Sequence, residues 1–276
     1  MKICKINNSS QYLSMIDIND ADIEFYNDVL ENSEDMYAIY YDDNIVGLAN
    51  VICDVCGFLY IYIFLQNRNK GFGKAAVKLL EEQMSSSKLR DIATCYLSNN
   101  KNAYKFATAC GYVKEFASVY MKFCGSAFEN ITLPIRQYRD EDYEEAQLIT
   151  AEAFHKMRLE TGYFPNSLPE RPSVEMRKFW NDTAEERYVY IFDNEIIGYG
   201  HIDGDELSEV SIKITHQGKG FGTQFIKFLI NRLLEKGYSE PYLYCIVGNK
   251  ARNLYEALGF KEVCCNEYAK KKMNNL

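Results

Sequence analysis

The sequence predicts an α+β (mixed α/β) fold used twice, and three observations predict it. Short stretches of sequence recur in the same order in both halves of the 276 residues. In each half, alternating strand-like runs surround one long segment of helical period. Between a strand and that helix, each half places a glycine-rich turn: Arg68-Asn69-Lys70-Gly71-Phe72-Gly73 and Gln217-Gly218-Lys219-Gly220-Phe221-Gly222.

The repeat carries the domain organisation. Lys-Gly-Phe-Gly recurs at an offset of 149 residues. Upstream, Asp43-Asn44-Ile45-Val46-Gly47 matches Asp193-Asn194-Glu195-Ile196-Ile197-Gly198 with one residue inserted, which brings the glycines to an offset of 151. Downstream, Asn102-Ala103 through Gly111-Tyr112 matches Lys250-Ala251 through Gly259-Phe260 at 148. Ordered landmarks whose offsets drift so little indicate a duplicated unit. The boundary is expected between Gly125 and Asn130, giving domains 1–127 and 128–276.

The elements of the second copy follow in order. Ile131–Arg136 reads as a strand and Asp140–Met157 as an amphipathic helix with acids in its first turns, where they complement the helix dipole. Thr161–Ser173 is punctuated by three prolines and leads to a helix ending at Trp180. Arg187–Phe192 and Ile196–Ile202 alternate as strands joined by Asp193-Asn194, and Leu207–Ile214 is a further strand. From Gly222 the period becomes helical, with Ile226, Leu229, Ile230, Leu233 and Leu234 on one face. Gly237 stops that helix. Tyr242–Val247 is a strand, Lys250–Leu258 a short helix, and Phe260–Cys265 and Glu267–Lys272 are closing strands. The first copy follows the same series, with Ala76, Leu79, Leu80 and Met84 on its central helix.

Composition narrows the function classes. The apolar share of 47% and charged share of 25% are those of a folded protein. The 31 basic and 39 acidic residues leave a net charge of −8, which disfavours a nucleic-acid or anionic-membrane partner. No apolar run approaches the ~20 residues of a membrane span, and the start of the chain does not read as a signal peptide. A soluble, cytoplasmic protein is expected, as a monomer or homodimer. Of the nine cysteines, only Cys53 and Cys56 make a CxxC, and no second pair completes a zinc site. They read as reduced thiols in strand-like sequence. His155, His201 and His216 share no ligand spacing, so no metal is expected.

A glycine turn between a strand and a helix suits a phosphate. Glycine lets the backbone approach without a Cβ, and the helix's first N–H groups point at the anion. Lys70 and Lys219 add positive charge beside it. The spacing is not that of a P-loop, which needs four residues between its glycines and then Lys-Ser/Thr. Nor is it a dinucleotide fingerprint, because Gly218, Gly220 and Gly222 are spaced differently and Glu240 precedes its strand.

With these motifs the chain resembles the GNAT superfamily of acetyl-CoA-dependent N-acetyltransferases. Both copies match that family's Q/R-x-x-G-x-G/A signature, through Gln217/Gly220/Gly222 and Arg68/Gly71/Gly73. Asn249-Lys250-Ala251-Arg252-Asn253-Leu254-Tyr255-Glu256-Ala257-Leu258-Gly259-Phe260 resembles its late helix and Gly-Phe turn. The resemblance covers nearly the whole chain and implies two domains, each a central twisted mixed sheet flanked by helices. It implies an acetyl group moved directly from acetyl-CoA to a primary amine of a small molecule or peptide. The CoA phosphates would lie on Gln217, Gly218, Lys219, Gly220, Phe221, Gly222 and Thr223, with Asn249 near by. The pantetheine arm would pair with backbone near Ile212 and Ile214. The corresponding first-copy residues are Arg68, Asn69, Lys70, Gly71, Phe72 and Gly73.

The family's tyrosine acid falls on Tyr255. A phenol holds its proton at neutral pH and can give it to a departing thiolate. The aligned first-copy residue is Ala107, with Tyr104 one turn earlier, so the first copy is expected to be catalytically degenerate. The second copy also departs from the family, with Gly248 in place of an asparagine and Asn249 one position late. For the general base the candidates are Glu206, Glu209, His201 and His216, with Glu209 first because it lies in the strand leading to the turn. Thr161–Ser173, with Tyr163 and Phe164, is expected to wall the acceptor cleft. The alternative is a non-catalytic acyl-CoA-binding regulatory or scaffold protein, which Ala107 favours for the first copy and Tyr255 disfavours for the second.

Overall fold

The computed structural model describes residues 1–6, 12, 14–17, 19–20, 35–53, 57–84, 89–129 and 133–273. In chain order the strands and helices are β1 (Lys2–Lys5), β2 (Met36–Tyr41), β3 (Asn44–Cys53), β4 (Gly57–Ile63), α1 (Phe72–Met84), β5 (Asp91–Leu97), α2 (Lys101–Ala109) and β6 (Val113–Phe123). They continue as β7 (Ile135–Gln137), α3 (Tyr143–Thr161), α4 (Val174–Asp182), β8 (Arg187–Phe192), β9 (Glu195–Asp203), β10 (Glu206–Ile212), α5 (Phe221–Glu235), β11 (Tyr242–Ile246), α6 (Ala251–Leu258) and β12 (Phe260–Lys272). Cys56 of the CxxC, Asn130 at the expected boundary and residues 131–132 of an expected strand lie outside the described residues.

The chain forms two compact units, Met1–Ala117 with Cys265–Leu276, and Ser118–Cys264. A single cut at 127/128 therefore does not separate them. Each copy sends the end of its last strand to the other sheet. Residues 118–122 of β6 pair antiparallel with β11 of the second unit, Ser118↔Ile246 to Lys122↔Tyr242. Residues 266–272 of β12 pair antiparallel with β5 of the first, Asn266↔Leu97 to Lys272↔Asp91. The expected pair of closing strands is one continuous strand.

In the first unit the strand order is β1-β2-β3-β4-β5-β12, with β4 and β5 parallel. Ala76, Val77, Leu80 and Met84 of α1 are buried against it, while Leu79 is only half-buried. The β2–β3 turn is Asp42-Asp43, with φ of 46° and 63°. That pair of left-handed residues is the hairpin turn whose twist matches the strands, and acidic or amide side chains tolerate it.

In the second unit the order is β6-β11-β10-β9-β8-β7, with β10 and β11 parallel. The β8–β9 turn, Asp193-Asn194, has φ of 49° and 61° and repeats the first unit's turn at an offset of 151. One face of this sheet packs on α5, whose Phe225, Leu229, Ile230 and Leu233 are completely buried. The helix sits so close that a Cβ at Gly200 would lie 2.6 Å from Leu229 Cδ1. On the other face, Tyr143 of α3 and Trp180 of α4 pack on Val189 and Tyr199, with Trp180 and Tyr199 stacked at 4.2 Å. Several expected bounds move, among them the end of the long helix, which runs on to Thr161. The first strand is Ile135–Gln137, the long helix begins at Tyr143 after a 3₁₀ turn at Asp140–Asp142, and β10 ends at Ile212.

Candidate active site

The glycine turn is built the same way in both units. After β10, a 3₁₀ turn at Ile214–His216 reverses the chain toward α5. Ile214 thus leaves the strand and is 39% exposed, whereas Ile212 ends the strand and is buried. Gln217 Nε2 donates to the carbonyl of Ile212 at 3.0 Å. Arg68 Nε donates to the carbonyl of Ile63, also five residues back, at 2.8 Å. The signature's Gln/Arg position is therefore a brace that ties the turn to the strand before it. Lys156 Nζ donates to Gln217 Oε1 at 3.0 Å, and the Arg68 guanidinium holds Asp20 at 3.1 and 2.5 Å.

The braced turns share one backbone. Gly220 has φ of 89° and Gly71 of 84°, while Gly218 at 74° corresponds to Asn69 at 60°. A Cβ on Gly71, Gly218 or Gly220 would touch nothing within 4 Å, so glycine is needed there for conformation and leaves the approach open. The first N–H groups of a helix have no acceptor inside it, which in α5 means Phe221, Gly222 and Thr223. With exposed Lys219 beside them, they form a cradle for an anion at the positive end of the helix dipole. Phe72, Gly73 and exposed Lys70 hold the same places in the first unit.

Beyond each turn the two parallel strands separate. β10 and β11 share the register pair Glu206↔Tyr242, and β4 and β5 share Gly57↔Ile92 and Phe58↔Ala93. Past those pairs the strands lack each other as partners, which leaves backbone donors and acceptors for an extended ligand. Tyr255 on α6 is half-buried in the second unit, edge-on to Phe260 at 5.9 Å and close enough to Cys245 of β11 to feel its charge. Burial, and secondarily Cys245, pushes its phenol pKa up, so it is protonated throughout the working pH range. Asn249 is a cap: its Oδ1 accepts from Ala251 N at 2.9 Å, as Asn100 accepts from Ala103 N at 3.0 Å in the first unit.

The first unit's opening is filled differently. Ala107 is 5% exposed and belongs to the core, and Tyr104 is exposed. A Cβ at Gly73 would lie 2.9 Å from the Phe106 ring, while at Gly222 the equivalent neighbour, Leu254, is 3.9 Å away. What remains between the strands is a cavity of about 70 Å³ lined by Leu59, Tyr60, Thr94, Cys95, Phe106 and Ala107, among others.

A register shift between Leu207 and Glu209 gathers the acids of the second unit. Glu206 pairs with Asp203 and Glu209 with His201. Residues 201 and 203 share a face, so the bulge brings two glutamates three positions apart onto that face, where regular alternation would oppose them. It is the face covered by α3 and α4. Burial raises the Glu209 carboxyl pKa, opposed by Arg187, whose Nη1 lies 4.0 Å from Glu209 Oε2. Burial, with Asp203 and Asp205, pushes Glu206 up to about 7. His201 is 5% exposed and held down to about 4 by burial, with Arg187 adding to the effect, so it is neutral at pH 7. His216 lies in the turn against Phe192 and Phe221, with Nδ1 3.0 Å from Thr215 Oγ1.

Arg187 is the residue that sequence reasoning missed. It is 1% exposed, donates to the Tyr199 hydroxyl and to Thr183 Oγ1, and lies against the rings of Phe179 and Trp180 at 5.0 and 5.1 Å. Its signal was its place in β8, in phase with buried Val189. The proline-rich stretch is tied along α3 by Gln147 Nε2 to the Glu170 carbonyl (2.9 Å), His155 to Ser167 (3.4 Å) and the Tyr143 hydroxyl to the Ser173 carbonyl (3.1 Å). Glu170 and Arg158 both act on the ionisation of Glu209, which puts this segment beside the acids. Tyr163 and Phe164 are half-buried in it. Among the described residues no group of three His, Cys, Asp or Glu side chains converges as metal ligands, and no helix is long and apolar enough to cross a membrane.

Comparison with known proteins gives a concordant picture. A model of the acetyltransferase (GNAT) family matches the chain twice, over residues 6–112 and 153–260. A ribosomal protein bS18-alanine N-acetyltransferase of Haemophilus influenzae is 40% identical over 85 residues. That match covers 28% of this chain and 58% of the relative, so the chain spans little more than half of that relative's length. A GCN5-related N-acetyltransferase from Sphaerobacter thermophilus superposes with a TM-score of 0.62 at 16% identity, over 90% of this chain and 85% of the other. A tandem GNAT protein from the clavulanic acid biosynthesis pathway superposes with a TM-score of 0.60 at 12% identity, over 98% of each chain. At such identities the structural likeness speaks for the fold.

Proposed function

The chain belongs to the acetyltransferase (GNAT) family, with two such domains in tandem, and from that premise we propose that its second domain transfers an acetyl group from acetyl-CoA to a primary amine. The observation that carries this reading is the conjunction, in one unit, of an open glycine cradle, parted strands and Tyr255. The cradle fits a pyrophosphate because the positions a Cβ would occupy are empty and glycine. Acetyl-CoA supplies the activated acyl group as a thioester.

The residues then divide the work. Gly218, Gly220 and the first amides of α5 bind phosphate, and the inner edge of β10 near Ile212 orients the pantetheine arm. Glu209 takes the proton from the attacking ammonium, since a free amine is the nucleophile. The nitrogen–carbon bond forms as the carbon–sulfur bond breaks, the acylated nitrogen releases its second proton to solvent, and Tyr255 gives its proton to the departing thiolate. Bulk solvent restores the phenol proton, and no cysteine is acylated. Glu206 is the competing base, because a carboxyl near 7 is matched to neutral pH. Glu209→Gln and Glu206→Gln separate them: the base variant loses most of kcat and the acidic limb of the pH profile.

The first domain has Ala107 at the acid position and Phe106 over Gly73, which favours a non-catalytic role there. The acceptor is a small amine or a peptide N-terminus, the latter suggested by the Haemophilus influenzae relative's name. The test is thiol release from acetyl-CoA by the full chain with a panel of amines and short peptides. Turnover abolished by Tyr255→Phe supports the reading. CoA binding with no acceptor turned over would make the chain an acyl-CoA-binding protein.

A further inference from the structure

Three tyrosines on neighbouring strands of the second unit take no part in the transfer chemistry. Tyr242 and Tyr244 alternate with buried Leu243 and Cys245 on β11, so they share one face of the sheet. Tyr120 on β6 is the register partner of Tyr244 and completes the cluster. The ring centroids are 5.2, 5.3 and 5.8 Å apart for Tyr120–Tyr242, Tyr120–Tyr244 and Tyr242–Tyr244. Tyr244 is 46% exposed, and the other two are half-buried.

The face is that of the proposed base. Tyr242 is the register partner of Glu206 and hydrogen-bonds its carboxyl. The bulge puts Glu209 on the same side. The charges around the rings are mostly negative: Asp203 and Asp205 act on Glu206, and Asp205 and Glu240 act on Tyr120. Lys122 also faces the cluster and is paired with Glu240 at 3.1 Å. Aromatic faces bordered by carboxylates attract an organic cation through the ring quadrupole as well as through charge.

We propose that the Tyr120–Tyr242–Tyr244 platform, with Glu206, binds a second, non-reacting ammonium of the acceptor, so that the substrate class is an aliphatic diamine or polyamine. The inference rests on the transferase reading, because the reacting nitrogen is placed at Glu209. The bulge sets Glu206 and Glu209 opposite Asp203 and His201, two positions apart on β9, so the carboxyls are about 7 Å apart along the strand at ~3.3 Å per residue. That span sets a chain-length optimum rather than a simple preference for charge.

The experiment uses the full chain with acetyl-CoA and a series of α,ω-diamines of three to eight methylenes, each beside the monoamine of equal length. Calorimetric binding of the same diamines is measured without acetyl-CoA. The expected result is kcat/KM at least tenfold higher for the best diamine than for its monoamine, carried mainly by KM. Tyr244→Leu should bring that ratio near one, and Tyr244→Phe should keep it. Equal use of monoamines and diamines, or a ratio unchanged in both Tyr244→Leu and Tyr120→Leu, overturns the proposal. If no amine is acetylated, the transferase reading fails by itself. Calorimetry then decides the platform: diamine binding lost in Tyr244→Leu upholds it, and no diamine binding ends it.

Discussion

Replacing Tyr255 with phenylalanine isolates the proposed proton donor from everything else the ring does. The ring meets Phe260 edge-on, with centroids 5.9 Å apart and planes at 68°, and phenylalanine keeps that contact. Only a hydroxyl is lost, one that burial holds to its proton. Stability should change by no more than about 0.5 kcal/mol, so the melting temperature should move by only ~2 °C. Catalysis should respond on another scale. A positioned acid contributes roughly 10²–10⁴-fold, or ~3–5 kcal/mol at 1.36 kcal/mol per factor of ten. Thiol release should therefore fall at least a hundredfold in kcat, while the Kd for acetyl-CoA stays within about twofold. No second donor is available at the aligned position of the first unit, where Ala107 is buried. A variant that keeps wild-type kcat and melting temperature would refute the assignment. One that melts many degrees lower would show that the hydroxyl is structural.

Other perturbations probe the frame of the site. Gly220→Ala puts a side chain at φ 89°, where nothing obstructs its Cβ, so its cost is backbone strain of ~1–2 kcal/mol. Gly237→Ala at φ 95°, also in open space, should cost the same in denaturant melts. Only Gly220→Ala should weaken acetyl-CoA binding, by at least tenfold in calorimetry. Gly200→Ala drives a Cβ to 2.6 Å from Leu229 Cδ1 and should cost ~1–3 kcal/mol, partly recovered in the Gly200→Ala/Leu229→Ala double variant. His201 is held at about 4 in the fold against 6.5 unfolded, so the unfolded chain takes up the proton first as pH falls. Urea melts should show stability lost between about pH 6.5 and 4, on the order of 3 kcal/mol, a slope that His201→Gln flattens. Glu206 is raised to about 7, so its contribution is full below pH 4.5 and lost as pH rises through 7. Glu206→Gln should stabilise the protein at pH 8 by on the order of 1–2 kcal/mol, allowing for partial exposure.

The fold class, the duplication and the cradle were legible in the sequence because the forces behind them are local. A two-residue period makes Arg187–Phe192 a strand, and a 3.6-residue period makes Phe221–Glu235 a helix. Gly71, Gly218 and Gly220 are read from the left-handed backbone that only glycine adopts freely. The tyrosine's place came instead from the resemblance of Asn249–Phe260 to the family's late helix and Gly-Phe turn. Element ends were less legible. Ile214 has the residue type of a strand, yet the chain must turn there to enter α5, so a 3₁₀ turn at Ile214–His216 begins where the last strand position was expected.

What only the tertiary structure decided concerns partners distant in sequence. β6 and β12 alternate like any strand, and nothing local says that residues 118–122 pair with β11 and residues 266–272 with β5; long-range pairing and burial choose the edge. The shift between Leu207 and Glu209 is set by the fit of β10 to β9, and it alone puts Glu206 and Glu209 on one face. Arg187 has the sequence of a surface residue and the environment of a core one, because Phe179, Trp180 and Tyr199 close around it after folding. Backbone sterics and periodicity act over a few residues and fix the kinds of elements. Burial and register act across the fold and fix which side chains meet.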